Sequence, residues 1–274
     1  MITRAQYSTV PPAQEQTAGF AAQLLLLAVL GSAVGLGPVG WSAGAAFAVA
    51  LWALLTSAQR RAHATALGPA DLVTLARAVL VGGVAALVAD RAGGAQPVVL
   101  FVALASVALV LDAVDGQVAR RTHTVSALGA RFDMEVDAFL ILVLSVQAAF
   151  AQGWWVLAIG AMRYGFVVAA WLLPWLRVAL PHSRARKVVA ALQGIVLVVA
   201  CAGVLPALAA TVVTAAALAL LAWSFGRDVR WLRRQSQSRR LNSRYSAPAI
   251  TSIAAVDTAN PHHDPNPGYG TFCP

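Results

Sequence analysis

An apolar run that ends at two aspartates determines the architecture of this chain. Residues 96–120 read QPVVLFVALASVALVLDAVDGQVAR. Its apolar part, 96–113, is close to the length of about 20 residues that a helix needs to cross a bilayer. Carboxylates at membrane depth are costly, so Asp112 and Asp115 at the end of such a run indicate a functional site. The stretch therefore predicts a membrane helix with a polar site at one end.

The composition of the whole chain agrees with a membrane protein. Of 274 residues, 59% are hydrophobic and only 11% are charged, and the mean hydropathy is +0.71. A soluble domain is about 25% charged, so an ordinary soluble domain, a disordered chain, a collagen and a coiled coil are excluded. The net charge of +9 comes mostly from arginines, which in a membrane protein mark cytoplasmic loops rather than a nucleic-acid partner. The two cysteines, Cys201 and Cys273, lie in an apolar run and a polar tail and predict no disulfide.

The apolar runs predict an all-α fold, a polytopic membrane bundle of about eight transmembrane helices. The runs lack the alternation of β-barrel strands, and only helices or closed barrels satisfy the backbone in lipid. Proline or glycine separates several of the runs, and the shortest breaks are typical of helical hairpins. The predicted spans are 18–36, 40–57, 71–90, 96–113, 134–152, 154–174, 187–203 and 206–225.

The positions of the arginines predict the orientation of the bundle. Basic residues lie in every second connection and after the last helix, with Arg91 as the exception. This pattern places both termini in the cytoplasm, because cytoplasmic loops of membrane proteins carry the excess of positive charge. We expect the first run to remain a membrane helix, since it is long for a cleaved signal and is preceded by a single basic residue, Arg4.

Five of the eleven acidic residues fall within 26 positions, at the ends of the fourth and fifth predicted helices. Asp112 and Asp115 share one helix face, as do Asp133 and Asp137, whereas Glu135 points elsewhere. Two such pairs across a short loop form an oxygen-rich cage that suits a hard divalent cation, Mg²⁺ or Mn²⁺. Four carboxylates favour two ions, the arrangement that assists in-line phosphoryl displacement.

The residues around the carboxylates complete a longer motif, Asp112-x2-Asp115-Gly116-x2-Ala119-Arg120-x8-Gly129-x3-Asp133-x3-Asp137. This string resembles, at every position, the signature of the CDP-alcohol phosphatidyltransferases, integral membrane enzymes of phospholipid synthesis. The segment 71–77 is similar to the one that opens the family core. The resemblance covers about 71–200.

The resemblance implies a division of the chain. A six-helix phosphatidyltransferase core would occupy 71–226, preceded by two extra transmembrane helices over 18–57. We further expect a disordered N-terminus over 1–17, a cytoplasmic linker over 58–70, and a basic, then disordered, cytoplasmic tail over 227–274.

The resemblance also implies which residues bind metal and take part in the reaction. Asp112, Asp115 and Asp133 would be metal ligands, and Asp137 would be a metal ligand, a general base, or both. An acceptor hydroxyl would attack the lipid-linked phosphorus of a CDP-alcohol such as CDP-diacylglycerol, and CMP would leave. The family further implies a homodimer.

Nucleotide binding is implied for the other signature positions. Gly116, Ala119 and Gly129 would leave room for the cytidine nucleotide, and Arg120 would hold its diphosphate. Thr74 and Arg77 lie one turn apart near the beginning of the helix predicted over 71–90, at its cytoplasmic end. Arg77 could reach the nucleotide phosphate there, or its side chain could simply extend to the membrane interface.

Further cations suggest a phosphate on the acceptor. A phosphorylated acceptor needs cationic groups near the metal ions, which favours a polyol phosphate, by default glycerol 3-phosphate. The same cations also satisfy the orientation rule. The candidates are Arg131, Arg184, Arg186 and Lys187. Arg163, near the middle of its helix, requires a partner that the sequence does not identify.

Other functions remain open from the sequence. A membrane prenyltransferase also binds diphosphate through metal-bound aspartates, but on two well-separated helices. A non-catalytic cation-binding membrane protein or transporter would distribute carboxylates through the membrane, and a paralogue without activity would keep the signature. We expect the enzyme, located in the cytoplasmic (plasma) membrane with its site on the cytoplasmic side. Its expected partners are membrane lipids and its two substrates, without nucleic acid.

Overall fold

The computed structural model describes residues 12–62, 69–93, 97–122, 127–177 and 184–246. These ranges are helical almost throughout and contain no β-strand, which confirms the predicted all-α fold. Their eight α-helices are α1 (Pro12–Val34), α2 (Pro38–Ala62), α3 (Pro69–Ala89), α4 (Val98–Thr122), α5 (Ala127–Gln152), α6 (Leu157–Leu172), α7 (Arg184–Cys201) and α8 (Ala207–Ser246). Short 3-10 turns cover Asp90–Gly93, Trp154–Val156 and Pro174–Arg177.

Seven of these helices are long and apolar enough to cross a membrane. The exception is α7, whose apolar part is the shorter Val188–Cys201. At 1.5 Å per residue this part is about 21 Å long, less than the roughly 30 Å of a bilayer core. The predicted count of eight helices is confirmed, with seven of them as candidate spans.

Several helix ends differ from the predicted ones. α1 begins at Pro12, so residues 12–17 are helical rather than disordered, because proline fits the first position of a helix. α8 continues to Ser246, since no proline or glycine follows Gly226 within it, and residues 241–246 are therefore helical too. Part of the linker predicted over 58–70 is also helical, because α2 ends at Ala62 and α3 begins at Pro69. Residues 1–11, 63–68 and 247–274 lie outside the described ranges.

Helix α3 is central to the bundle. It contacts α1, α2, α4 and α5, and its Val81 and Val84 are fully buried. α5 contributes the buried Leu140 and Leu144 and contacts α6 and α7, while α8 packs on α7. The beginning of α3 and the signature helices α4 and α5 are thereby brought to one site.

The hairpin of α1 and α2 packs closely on α3 at Gly82. A Cβ at this position would lie 2.5 Å from Gln23 Oε1 and 2.5 Å from Phe47 Cδ1. Phe47 also stacks on Phe139 of α5, with ring centroids 5.1 Å apart. The hairpin is therefore packed against the helices that carry the candidate site.

The Asp90 carboxylate ties the end of α3 to the beginning of α2. The backbone nitrogens of Gly37 and Gly40 donate hydrogen bonds to it at 2.9 Å and 3.3 Å. Asp90 thus caps the first turn of α2, and its negative charge lies at the positive end of the helix dipole.

Candidate active site

The first three turns of α3 carry a buried polar stripe. Asp71, Thr74 and Arg77 are all buried, and their spacing of three residues keeps neighbouring members on nearly the same face. Thr74 and Arg77 were candidates from the sequence, whereas Asp71 was not assigned to the site. An acidic residue opening an apolar span was the signal that could have identified it.

The Arg77 guanidinium connects the two signature helices. Its Nη1 donates a hydrogen bond to Asp112 Oδ1 on α4, and its Nη2 donates to Asp133 Oδ1 on α5 at 2.6 Å. Nη2 also donates to the main-chain oxygen of Asp133 at 2.9 Å. Arg77 is 1% exposed, whereas Asp112 and Asp133 are 36% and 41% exposed. A buried cation from α3 therefore links carboxylates that face an accessible space.

Asp137 belongs to the same cluster. It lies one turn after Asp133 on α5 and is partly buried. The charges of Asp112, Arg77, Asp133 and Arg163 act on its carboxyl. Two of the four signature carboxylates therefore bond the Arg77 guanidinium, and a third lies within the range of its charge.

The remaining signature residues lie on the same two helices. Gly129 is buried one turn before Asp133, and Gly116 is partly buried one turn after Asp112. Asp115, Ala119 and Arg120 lie within α4, and their side chains are outside the described part of the chain.

The side chains of the signature residues carry the type of donor atom that a divalent cation binds. Asp112, Asp133 and Asp137 offer only carboxylate oxygens, the ligands that Mg²⁺ and Mn²⁺ prefer. The three carboxylates carry more negative charge than the single Arg77 guanidinium neutralises. That guanidinium lies between Asp112 and Asp133, so a positive charge is already accommodated there. Among the described side chains, no three His, Cys, Asp or Glu residues lie close enough together to hold a metal ion. Asp115, whose side chain is outside that description, is the fourth predicted ligand.

Arg163 has the partner that the sequence did not identify. Its Nη2 donates to Glu135 Oε1 at 2.6 Å, which joins α6 to α5. Glu135 is 55% exposed and bonds away from the Arg77 cluster, as its spacing from Asp133 and Asp137 predicts. The ion pair with Glu135 explains how the charge of Arg163 is accommodated within a candidate span. It does not require Arg163 to belong to the Arg77 cluster.

Helix α7 packs on α5, the helix that carries Asp133 and Asp137. A Cβ on Gly194 would lie 3.4 Å from Ile141 of α5, and seven residues later the Cys201 thiol contacts the Leu144 carbonyl oxygen at 3.8 Å. The two helices therefore run in the same direction. Both helices therefore begin at the same end of the bundle, the end at which Asp133 lies on α5.

The candidate acceptor residues are located as follows. Arg131 is exposed on α5, two residues before Asp133. Arg184, Arg186 and Lys187 form the first turn of α7, and their side chains lie outside the described residues. Because α7 and α5 run in the same direction, this basic turn begins at the same end of the bundle as Asp133.

Seven of the described helices are long and apolar enough to cross a membrane. Acidic side chains of α4 and α5 lie together on Arg77. These features define an integral membrane protein with a polar site at one end of its bundle. The CDP-alcohol phosphatidyltransferase family matches residues 67–223, more than half of the chain, and the chain belongs to this family. The match confirms the resemblance found in the sequence. No curated protein and no solved structure matches the chain.

Membership of this family defines the general activity. The chain is a phosphatidyltransferase-type enzyme of phospholipid head-group transfer, and the family is in general dependent on a divalent metal. The match covers α3 to α7 and most of the apolar part of α8, and it leaves out α1 and α2.

Proposed function

We propose that the chain transfers a phosphatidyl group from a CDP-alcohol, such as CDP-diacylglycerol, to an acceptor alcohol and releases CMP. The reaction would depend on Mg²⁺ or Mn²⁺. The observation that carries this proposal is that the Arg77 guanidinium bonds Asp112 and Asp133, with Asp137 one turn after Asp133, within the region that the family matches. A prenyltransferase is disfavoured because these carboxylates lie together on two adjacent helices.

The signature carboxylates would hold the metal ions. Asp112, Asp115, Asp133 and Asp137 supply enough oxygen donors for two of them. When bound, the ions would supply positive charge that stabilises the diphosphate and the departing CMP. The exposed fractions of Asp112 and Asp133 support this role, because ligands for a diphosphate-bound ion must face an accessible space.

Asp137 is our candidate for the general base. The acceptor oxygen forms a bond to the lipid-linked phosphorus, the bond from that phosphorus to the CMP phosphate oxygen breaks, and the acceptor proton moves to a carboxylate. Asp137 is the candidate because it lies one turn after Asp133 on α5, where the charges of Asp112, Asp133 and Arg77 act on its carboxyl. A positioned carboxylate can accept a proton in this way.

Nucleotide binding is proposed for residues of α3, α4 and α5. Arg120 would bind the diphosphate through its planar guanidinium. Gly116, Ala119 and Gly129 would let the cytidine nucleotide approach the helix backbones. Thr74 and Arg77 lie beside them on α3, where Arg77 could contact the phosphates from behind the carboxylates.

A polyol phosphate is the proposed acceptor, with glycerol 3-phosphate as the default. Arg131 is exposed next to Asp133. The basic first turn of α7, with Arg184, Arg186 and Lys187, begins at the same end of the bundle as Asp133, because α7 and α5 run in the same direction. Cations here suit an acceptor that carries its own phosphate.

We place the enzyme in the cytoplasmic membrane, with its site on the cytoplasmic side. The arginines in alternate connections support this orientation. We also propose a homodimer, because the alanine- and glycine-rich helices permit close helix packing.

The test is CMP release by the purified full-length protein in liposomes that contain CDP-diacylglycerol and Mg²⁺. Glycerol 3-phosphate, inositol 1-phosphate, free inositol, serine and phosphatidylglycerol serve as parallel acceptors. We expect release with a phosphorylated polyol. Asp115→Asn should abolish it, whereas Glu135→Gln, a matched change outside the cluster, should retain most of it. No release with any acceptor, or full release by Asp115→Asn, would overturn the proposal.

A further inference from the structure

We propose that Arg77 is a positioning residue whose guanidinium occupies the place of a divalent ion between Asp112 and Asp133. It competes with that ion for the carboxylate oxygens. The inference deepens the proposed function and rests on it for the identity of the ion. It concerns a residue of α3, outside the signature of α4 and α5, and differs from a role in binding nucleotide.

The contacts of Arg77 provide the first argument. The guanidinium bonds one carboxylate oxygen on each signature helix, Asp112 Oδ1 and Asp133 Oδ1. The same carboxylates are the predicted metal ligands. An ion that coordinates both oxygens must therefore share them with the guanidinium or displace it.

Burial provides the second argument. Arg77 is 1% exposed, and its Nη2 is also anchored on the main-chain oxygen of Asp133. The side chain cannot simply swing into water when an ion arrives. Its positive charge therefore stays close to the ion, and this repulsion acts in a medium that screens charges less well than water does.

Charge balance provides the third argument. Without an ion, Asp112, Asp133 and Asp137 repel one another, and Arg77 is the cation that bonds two of them directly. Removing Arg77 should therefore destabilise the metal-free protein and at the same time strengthen binding of a divalent cation. A purely structural role predicts weaker folding together with weaker metal binding.

The experiment measures Mn²⁺ binding without any substrate. Full-length protein in detergent micelles is titrated with Mn²⁺, and free Mn²⁺ is followed by electron paramagnetic resonance. For Arg77→Gln we expect a Kd about tenfold lower than that of the wild type, because a unit charge near a divalent ion is removed. The thermal midpoint in EDTA should fall, and the rise on adding Mn²⁺ should become larger.

Arg163→Gln is the matched control. It removes the same charge and side chain from a guanidinium that bonds Glu135 instead of the signature aspartates. Its Mn²⁺ Kd should change much less than that of Arg77→Gln, since Arg163 bonds Glu135 and acts on the signature carboxylates only through the weaker effect of its charge on Asp137.

Arg77→Lys keeps the test decisive if Arg77→Gln fails to fold. An ammonium group retains the charge but cannot bridge two carboxylates in the planar geometry of guanidinium. We expect its Mn²⁺ Kd to be several-fold lower than that of the wild type.

Two results would overturn the inference, and they are distinguishable. If the wild type binds Mn²⁺ and the folded Arg77 variants bind it equally or more weakly, the competition is wrong while the proposed metal site stands. If neither the wild type nor any variant binds Mn²⁺, the metal dependence of the proposed function falls, and this inference falls with it.

Discussion

The contact between α5 and α6 at Gly160 offers a sharp test of the packing that positions the site. A Cβ at residue 160 would lie 2.5 Å from the Cα of Leu142 and 3.0 Å from Ser145 Oγ. The first of these atoms belongs to the backbone, so no side-chain rotation can relieve the overlap. Gly160→Ala therefore requires α6 to move away from α5.

The matched control lies on the same helix. A Cβ at Gly165 would have no neighbour within 4 Å in the described structure. Replacing a helical glycine by alanine gains up to about 1 kcal/mol of helix propensity. Overpacking against an unyielding neighbour costs up to about 3 kcal/mol. We therefore expect Gly160→Ala to lower the free energy of unfolding by about 2 kcal/mol and Gly165→Ala to raise it by up to about 1 kcal/mol.

The assay is unfolding by sodium dodecyl sulfate in mixed micelles, followed by the fluorescence of the eight tryptophans. The difference between the two variants should be about 3 kcal/mol, which is the overpacking cost alone, because the propensity gain is common to both. Equal stability of the two alanine variants would refute the close approach of α6 to α5.

Three further substitutions test other parts of the bundle. Gln23 is fully buried, and neither of its side-chain polar atoms has a hydrogen-bond partner in the described structure. Gln23→Leu should therefore stabilise the protein by about 1–2 kcal/mol. A lower thermal midpoint would contradict this. Asp90→Ala removes the cap of α2 and should cost about 1–2 kcal/mol, with Mn²⁺ affinity unchanged as the check that the site is intact. Arg91→Ala loses a cation–π contact with Phe150 and should reduce stability by about 0.5–1 kcal/mol. Its transfer rate should stay near that of the wild type, and loss of transfer would show that the predicted orientation is wrong.

The helices and the family could be predicted because their signals are local. Apolar runs of membrane length indicate helices wherever they occur. The spacing of the aspartates can be read from two neighbouring segments of the sequence. The ends of α4 and α8 were missed for a physical reason. Apolar runs stop at the first charges, whereas arginine and glutamine continue a helix readily, as at Arg120 and Gln235.

The contacts within the site could not be predicted, because they join distant parts of the sequence. Arg77 bonds Asp112 and Asp133, which are 35 and 56 positions away, and these bonds depend on how α3 packs between other helices. The pairing of Glu135 with Arg163 across 28 positions has the same origin. Sequence spacing indicated that Glu135 faces away from the aspartates, but helix packing determined which cation it meets.

The most direct test of the central claim is CMP release from CDP-diacylglycerol by wild-type protein stripped of metal with EDTA, before and after Mg²⁺ is restored. Glycerol 3-phosphate is supplied as acceptor at saturating concentration. The proposed chemistry of Asp112, Asp115, Asp133 and Asp137 predicts no release after stripping and full recovery with Mg²⁺. Release that continues unchanged in the stripped protein would contradict a metal-dependent phosphatidyl transfer at this cluster.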